Sequence, residues 1–230
     1  MGKMRLAVTK NVATQYVGHL DFGRSLERAL RRAKLPVALS EGFNPHMKIS
    51  FGPALGVGVA SRAEYVDVEL SAPVDVSEFG ARLTAQLPPG LTFVAARSIQ
   101  SSASLAAALN VADYQAEVGI EPEPAVLLRA RSAAAAFLTA EKVIYVRHTP
   151  KGEKSLELKQ YLMGQLTIEA GAGVVKIGFR LRMTTAGAVK PQELLATLVS
   201  QFDFPAGPVA CTRTGLWHDT GAEMKTAFDI

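Results

Sequence analysis

Residues 46–70, "HMKISFGPALGVGVASRAEYVDVEL", decide how the first half of the chain folds. "HMKISF" alternates, with Met47, Ile49 and Phe51 on one face and Lys48 and Ser50 on the other, the period of a half-buried strand. "EYVDVEL" alternates as well, which predicts Val66, Val68 and Leu70 inward and Tyr65, Asp67 and Glu69 outward. Upstream, "HLDFGRSLERALRRA" (19–33) reads as an amphipathic helix with Phe22, Leu26, Ala29, Leu30 and Ala33 on one side. Downstream, "DVSEFGARLTAQLP" (75–88) reads as a second helix buried through Val76, Phe79 and Leu83, and stopped by Pro88-Pro89-Gly90. With "MRLAVTK" (4–10) and "LTFVAARSI" (91–99) as outer strands, the order is βαββαβ, that of a split βαβ, ferredoxin-like unit.

The Ser/Ala-rich stretch "QSSASLAAALNVA" (100–112) is read as a link to a second half of the same order. There "DYQAEVGI", "KVIYVRH", "VVKIGFRLRM" and "VACTRTGLW" are expected strands, the second turned by Thr149-Pro150-Lys151-Gly152. "PAVLLRARSAAAAFLTA", with Pro124 near its first turn, and "PQELLATLVSQF" are expected helices. Residues 154–173 fit strand, helix or both. The residues themselves do not repeat, so the duplication is one of pattern. The expected fold class is α+β, with tandem ferredoxin-like (βαββαβ) halves and antiparallel sheets. The expected domains are 1–100, basic, and 112–230.

The 230 residues are 48% hydrophobic, ample for a packed core. No apolar run approaches the roughly 20 residues of a membrane span, and "MGKMRLAVTK" lacks the apolar stretch of a secretory signal. A cytoplasmic protein is expected. Cys211 is the only cysteine, which excludes an internal disulfide and cysteine-rich metal sites. The histidines His19, His46, His148 and His218 have no metal-type spacing, and no Ser, His and acid set is indicated. Neither a cofactor nor a metal is expected, and no catalytic residue is assigned.

The net charge of +4 is unevenly spread: residues 1–62 hold ten Lys/Arg against three Asp/Glu. A basic segment favours a polyanionic partner. Arg24, Arg28 and Arg31 share one helix face with Arg32 beside them, and a guanidinium fork suits phosphate oxygens. Glu27 can pair with Arg31 across one turn, and the other guanidiniums have no partner at helical spacing. Asp21 suits the helix N-terminus, and His19 is either a packed histidine or an acid/base. In "SEGFNPHMKIS" (40–50), Gly42 and Asn44-Pro45 are turn residues. Phe43, His46 and Lys48 exceed what a turn needs, and an aromatic with cations beside it suits single-stranded nucleic acid. This loop is expected to fold back over the N-terminus of the basic helix, with His46 and Lys48 near His19 and Arg24. Lys176, Arg180 and Arg182 form a second outward strip that would extend the footprint.

Residues 17–70, from "GHLDFGRSLERALRRA" through "SEGFNPHMKIS" to "EYVDVEL", resemble the signature region of the bacterial radical SAM-linked proteins, a family of unknown function. The pattern of that family is Ser-His-Leu-Asp, an arginine-rich helix, Ser-x-Gly-Phe-Asn-Pro-His-Pro-Lys, Leu-Pro-Val-Gly and a Glu-Tyr strand. This chain departs from it at Gly18, Met47 and Gly56, and Gly18 removes a helix cap. The resemblance implies a radical SAM enzyme as partner. One cysteine cannot hold the three-cysteine cluster of such an enzyme, so this chain would be the companion, holding an RNA substrate (tRNA or rRNA) for modification. The fold order also resembles CRISPR repeat endoribonucleases and tRNA pseudouridine synthases, which keeps open an RNA-directed enzyme using His19 or His46. The synthases need an Asp in the loop after the first helix, where this chain has Glu41. A third possibility is a protein-interaction module whose arginines meet acidic side chains of the radical SAM partner.

Overall fold

A computed structural model describes residues 2–100, 103–150, 152–184 and 187–230. The chain is a mixed α+β protein with a large, mostly antiparallel sheet. It divides into two compact units, residues 1–110 with 213–230, and residues 111–212. In chain order the first part contributes β1 (Gly2–Lys10), α1 (His19–Arg32), β2 (Ile49–Phe51), β3 (Val59–Leu70), α2 (Val76–Thr84), β4 (Leu91–Ile99) and α3 (Leu105–Ala108). Then follow β5 (Val111–Val118), α4 (Pro124–Thr139), β6 (Ile144–Thr149), β7 (Gly152–Glu157), β8 (Leu162–Gly171), β9 (Val174–Thr184), β10 (Gly187–Ala188), α5 (Pro191–Phe202), β11 (Val209–Asp219) and β12 (Met224–Thr226). Because β11 ends in the first unit, the second closes at Thr212 and does not run to the C-terminus.

In the first unit β1 lies between β3 and β4, and β2 pairs with the far edge of β3 through Ile49↔Val68 and Phe51↔Val66. Alternation places Met4, Leu6 and Val8 of β1, and Val66, Val68 and Leu70 of β3, on one face. There they pack against Phe22, Leu26, Ala29 and Leu30 of α1 and Phe79 and Leu83 of α2, the apolar stripe that a 3.6-residue period presents. Asp75 caps α2 by accepting from the N–H groups of Ser77 and Glu78. The Ser77 hydroxyl and these N–H groups hold its carboxyl below the usual carboxylate range. Gly18, by contrast, offers α1 no side-chain cap.

The other face of this sheet departs from expectation. Asp67, placed outward by simple alternation, is buried and bonded to Arg5, its cross-strand partner on β1. The C-terminal residues cover this face: Arg5 donates to the Ala227 and Ile230 oxygens. Phe228 packs edge-on to Tyr65 and beneath the Arg97 guanidinium, 5.1 Å from its ring centre. Burial pushes the Tyr65 hydroxyl above its usual pKa.

In the second unit β5 and β8 flank β9, with Tyr114 and Phe179 stacked across the β5–β9 pair. The strand expected at 142–148 is instead β6 of a separate two-stranded ribbon with β7. The strand beside β9 is β8, drawn from the segment whose type was open. Lys151 of the expected ribbon turn lies outside the described residues. So do Ser101 and Ser102 of the expected link, but its remainder is packed, with Leu105 and Leu109 buried. Among the described residues no helix is long and apolar enough to cross a membrane.

Gly90, at φ 93°, closes the turn into β4, where its carbonyl accepts from Asn11 N–H. A Cβ there would collide with the Thr14 methyl group. Gly90→Ala is therefore expected to cost about 1–3 kcal/mol; an unchanged urea midpoint would contradict this account of the turn.

Candidate nucleic-acid interface

The period that buries Phe22, Leu26, Ala29 and Leu30 leaves Arg24, Arg28, Arg31 and Arg32 on the exposed side of α1. They are not equivalent. Arg24 pairs with Asp21 at 3.3 Å, an i,i+3 contact, so it does have a partner at helical spacing. Arg32 donates to the Gln86 carbonyl at 2.8 Å. Among the described residues the side chains of Arg28 and Arg31 make no hydrogen bond or ion pair, and the expected Glu27–Arg31 bridge is not formed. Two guanidiniums on adjacent turns thus remain available to an anion.

Residues 38–48 form a braced loop. Lys48 N–H donates to Ala38 O and Ser40 N–H to His46 O, both at 2.8 Å, and His46 N–H also reaches the Ser40 hydroxyl. At the tip Gly42 takes φ 115°, the conformation its lack of a side chain permits. Glu41, Phe43, Asn44 and His46 stand exposed there, Phe43 completely so. The turn chemistry shapes a projecting tip with an aromatic on it.

The loop is not folded over the N-terminus of α1. His19 at the first turn meets Phe51 edge-on at 5.4 Å, and Phe51 stands opposite Val66. The base of the loop lies four residues further along β3, where Ala38 N–H donates to Glu69 O and Val37 bridges to Leu70. Val37 follows the end of α1, so the loop projects from the C-terminal end of the helix. The reason is direction: β2 runs antiparallel to α1, so residues before it belong at the opposite end from Phe51. Lys48 accordingly pairs with Glu69 at 3.6 Å. No hydrogen bond, ion pair or ring contact among the described residues joins residues 41–48 to His19 or Arg24.

The second basic strip is largely neutralised. Across the β5–β9 register Arg180 faces Asp113 and Lys176 faces Glu117, bridged at 2.6 and 3.8 Å. Arg182 also has a partner. His218 is occupied by Ala108 O at 2.6 Å and His148 pairs with Glu153. The Cys211 thiol is buried, which pushes its pKa up to about 12, so it is not a thiolate at neutral pH. No group of three or more potential metal ligands occurs among the described residues.

An α+β protein with an arginine-bearing helix and an aromatic-tipped loop in its N-terminal unit is therefore what the geometry defines. The chain belongs to the family described as an uncharacterized protein conserved in bacteria (DUF2344), whose model matches residues 3–191. It is also similar to the crystal structure of an unknown protein from Galdieria sulphuraria. The identity there is 14% and the TM-score 0.25, over 92% of this chain and 96% of that chain. No curated protein matches the chain.

Proposed function

We propose that this chain is an accessory RNA-binding protein that acts with a radical SAM enzyme in tRNA or rRNA modification, on a tandem ferredoxin-like scaffold. The observation that carries the RNA reading is the pair of exposed arginines Arg28 and Arg31 on one face of α1, whose side chains have no partner among the described residues. A helix that needed charge only for solubility would do as well with Lys, whereas Arg forks match phosphate oxygens. The companion role rests on the resemblance of residues 17–70. The scaffold reading is supported by the sheet order β2-β3-β1-β4 with α1 and α2 on one face of it.

An RNA-directed enzyme using His19 or His46 as acid/base is less well supported. His19 lies at the start of α1 against Phe51 and His46 in the loop at its far end, so the two do not form an acid/base pair. The arginine reading is tested by titrating salt against the binding of bulk tRNA to wild type and to the triple variant Arg24→Ala/Arg28→Ala/Arg31→Ala. The triple variant should bind more weakly, with a log–log salt slope shallower by about one unit per lost phosphate contact. An equal slope in both proteins refutes the arginine face. Binding to a radical SAM protein but to no RNA points to the protein-interaction module instead.

A further inference from the structure

We infer that the RNA held at α1 is unpaired, and that Tyr16 is a base-stacking platform at the end of the arginine face opposite Phe43. This rests on the reading of α1 as an RNA-binding face and extends it to the class of RNA. Tyr16 lies in the turn just before α1; it is 74% exposed and makes no hydrogen bond among the described residues. It is not isolated. Val12 and Leu20 flank it in the chain, both exposed, and Gly58 N–H donates to Gln15 O at 2.9 Å, which brings the exposed Val57 alongside. Large apolar side chains exposed singly are ordinary, but four of them carried by neighbouring segments suit a contact surface.

Charge on the same face selects the occupant. Leu20, Arg24, Arg28 and Arg31 follow at i, i+4, i+8 and i+11, so Leu20, at the N-terminal end, shares a face with the arginine line. The line is roughly 17 Å long from Leu20 to Arg31 at 1.5 Å per residue. Beyond its far end stands Phe43, fully exposed on the braced loop. An aromatic, a cationic line and a second aromatic suit a strand that offers phosphates and bases in turn. A duplex keeps its bases stacked inside and leaves the two aromatic groups nothing to stack on. A purely acidic peptide would satisfy the arginines but not Tyr16 and Phe43.

The test measures binding of a ten-nucleotide oligouridine and of a blunt RNA duplex of equal length, at low salt and across a salt titration. The proteins are wild type, Tyr16→Ala, Tyr16→Phe and the triple arginine variant. Wild type should prefer the oligouridine. Tyr16→Ala should weaken that binding roughly tenfold, the scale of one lost base stack, with an unchanged salt slope because no phosphate contact is removed. Tyr16→Phe should retain affinity, and the exposed site should leave the thermal melt of both variants unaltered. If wild type binds RNA with the expected slope but prefers the duplex, or Tyr16→Ala binds as tightly as wild type, the inference is overturned while the arginine face stands. If wild type binds neither RNA in a salt-dependent way, the arginine reading fails and this inference with it.

Discussion

Asp67→Ala should destabilise the protein by about 3–5 kcal/mol, the cost of leaving a buried charge without its partner. Asp67 grips Arg5 in a two-pronged pair, Nε to Oδ1 at 2.7 Å and Nη2 to Oδ2 at 2.9 Å, and both side chains are essentially inaccessible to water. In the variant the guanidinium stays buried, with only the Ala227 and Ile230 oxygens as acceptors. Such a loss is a large part of the roughly 5–15 kcal/mol that holds a domain folded. Replacing both partners, Arg5→Met with Asp67→Leu, should recover much of it, because a well-packed apolar pair avoids the desolvation of two charges. Recovery should not be complete, since the bonds from Arg5 to residues 227 and 230 are lost. Faster amide exchange at residues 226–229 of the double variant would show that loss. Urea denaturation decides the main point: a single variant within 1 kcal/mol of wild type would mean that Arg5 escapes to water.

This pair shows where local pattern stops informing. In "MRLAVTK" and "EYVDVEL" Arg5 and Asp67 occupy the alternate positions that normally face solvent. What buries them is a turn more than 150 residues downstream, and no periodicity within either strand reports it. The face of α1 was legible because its burial repeats every 3.6 residues along a single element. The end of α1 from which the loop projects was not, since turn residues determine a bend and not its place on a neighbouring helix. "KVIYVRH" alternates like any strand, and pattern does not say whether it joins the main sheet or a ribbon of its own. The neutralised strip did carry a signal: Asp113 and Glu117 have the same four-residue spacing as Lys176 and Arg180, as antiparallel partners must. Leu20 could have been noticed as a large apolar residue where the helix pattern calls for a polar one, and Tyr16 as an aromatic in the segment just before that helix.

A second buried cluster carries a larger charge imbalance and a pH signature. Arg213 of β11 donates to Glu64 at 2.5 Å and to Pro53 O at 3.0 Å, and its Nε has no hydrogen-bond partner among the described residues. Lys10 is buried near both, its ammonium bonded to the Val17 and Gln15 carbonyls at 2.6 and 3.2 Å. Burial lowers the pKa of Lys10 below its usual value; Glu64 opposes that shift and Arg213 adds to it. Glu64→Gln keeps the volume and an acceptor but leaves two buried cations facing each other. It should cost about 3–5 kcal/mol at neutral pH. The pH dependence follows from Lys10. Between its depressed folded pKa and its unfolded value, the unfolded chain holds more protons, so stability rises with pH across that window. Removing Glu64 removes the influence that raises the pKa of Lys10, so the window opens at lower pH in the variant. The gap between the variant and wild type should therefore narrow as pH is raised from 7 towards 10. Tyr65 and Cys211 titrate in both proteins and cancel in the comparison. Urea melts of the two proteins at matched pH measure the gap directly. A gap that stays constant or widens would mean that Lys10 remains charged or reaches solvent when Glu64 is neutralised, and that the cluster is not closed by Lys10, Glu64 and Arg213 together.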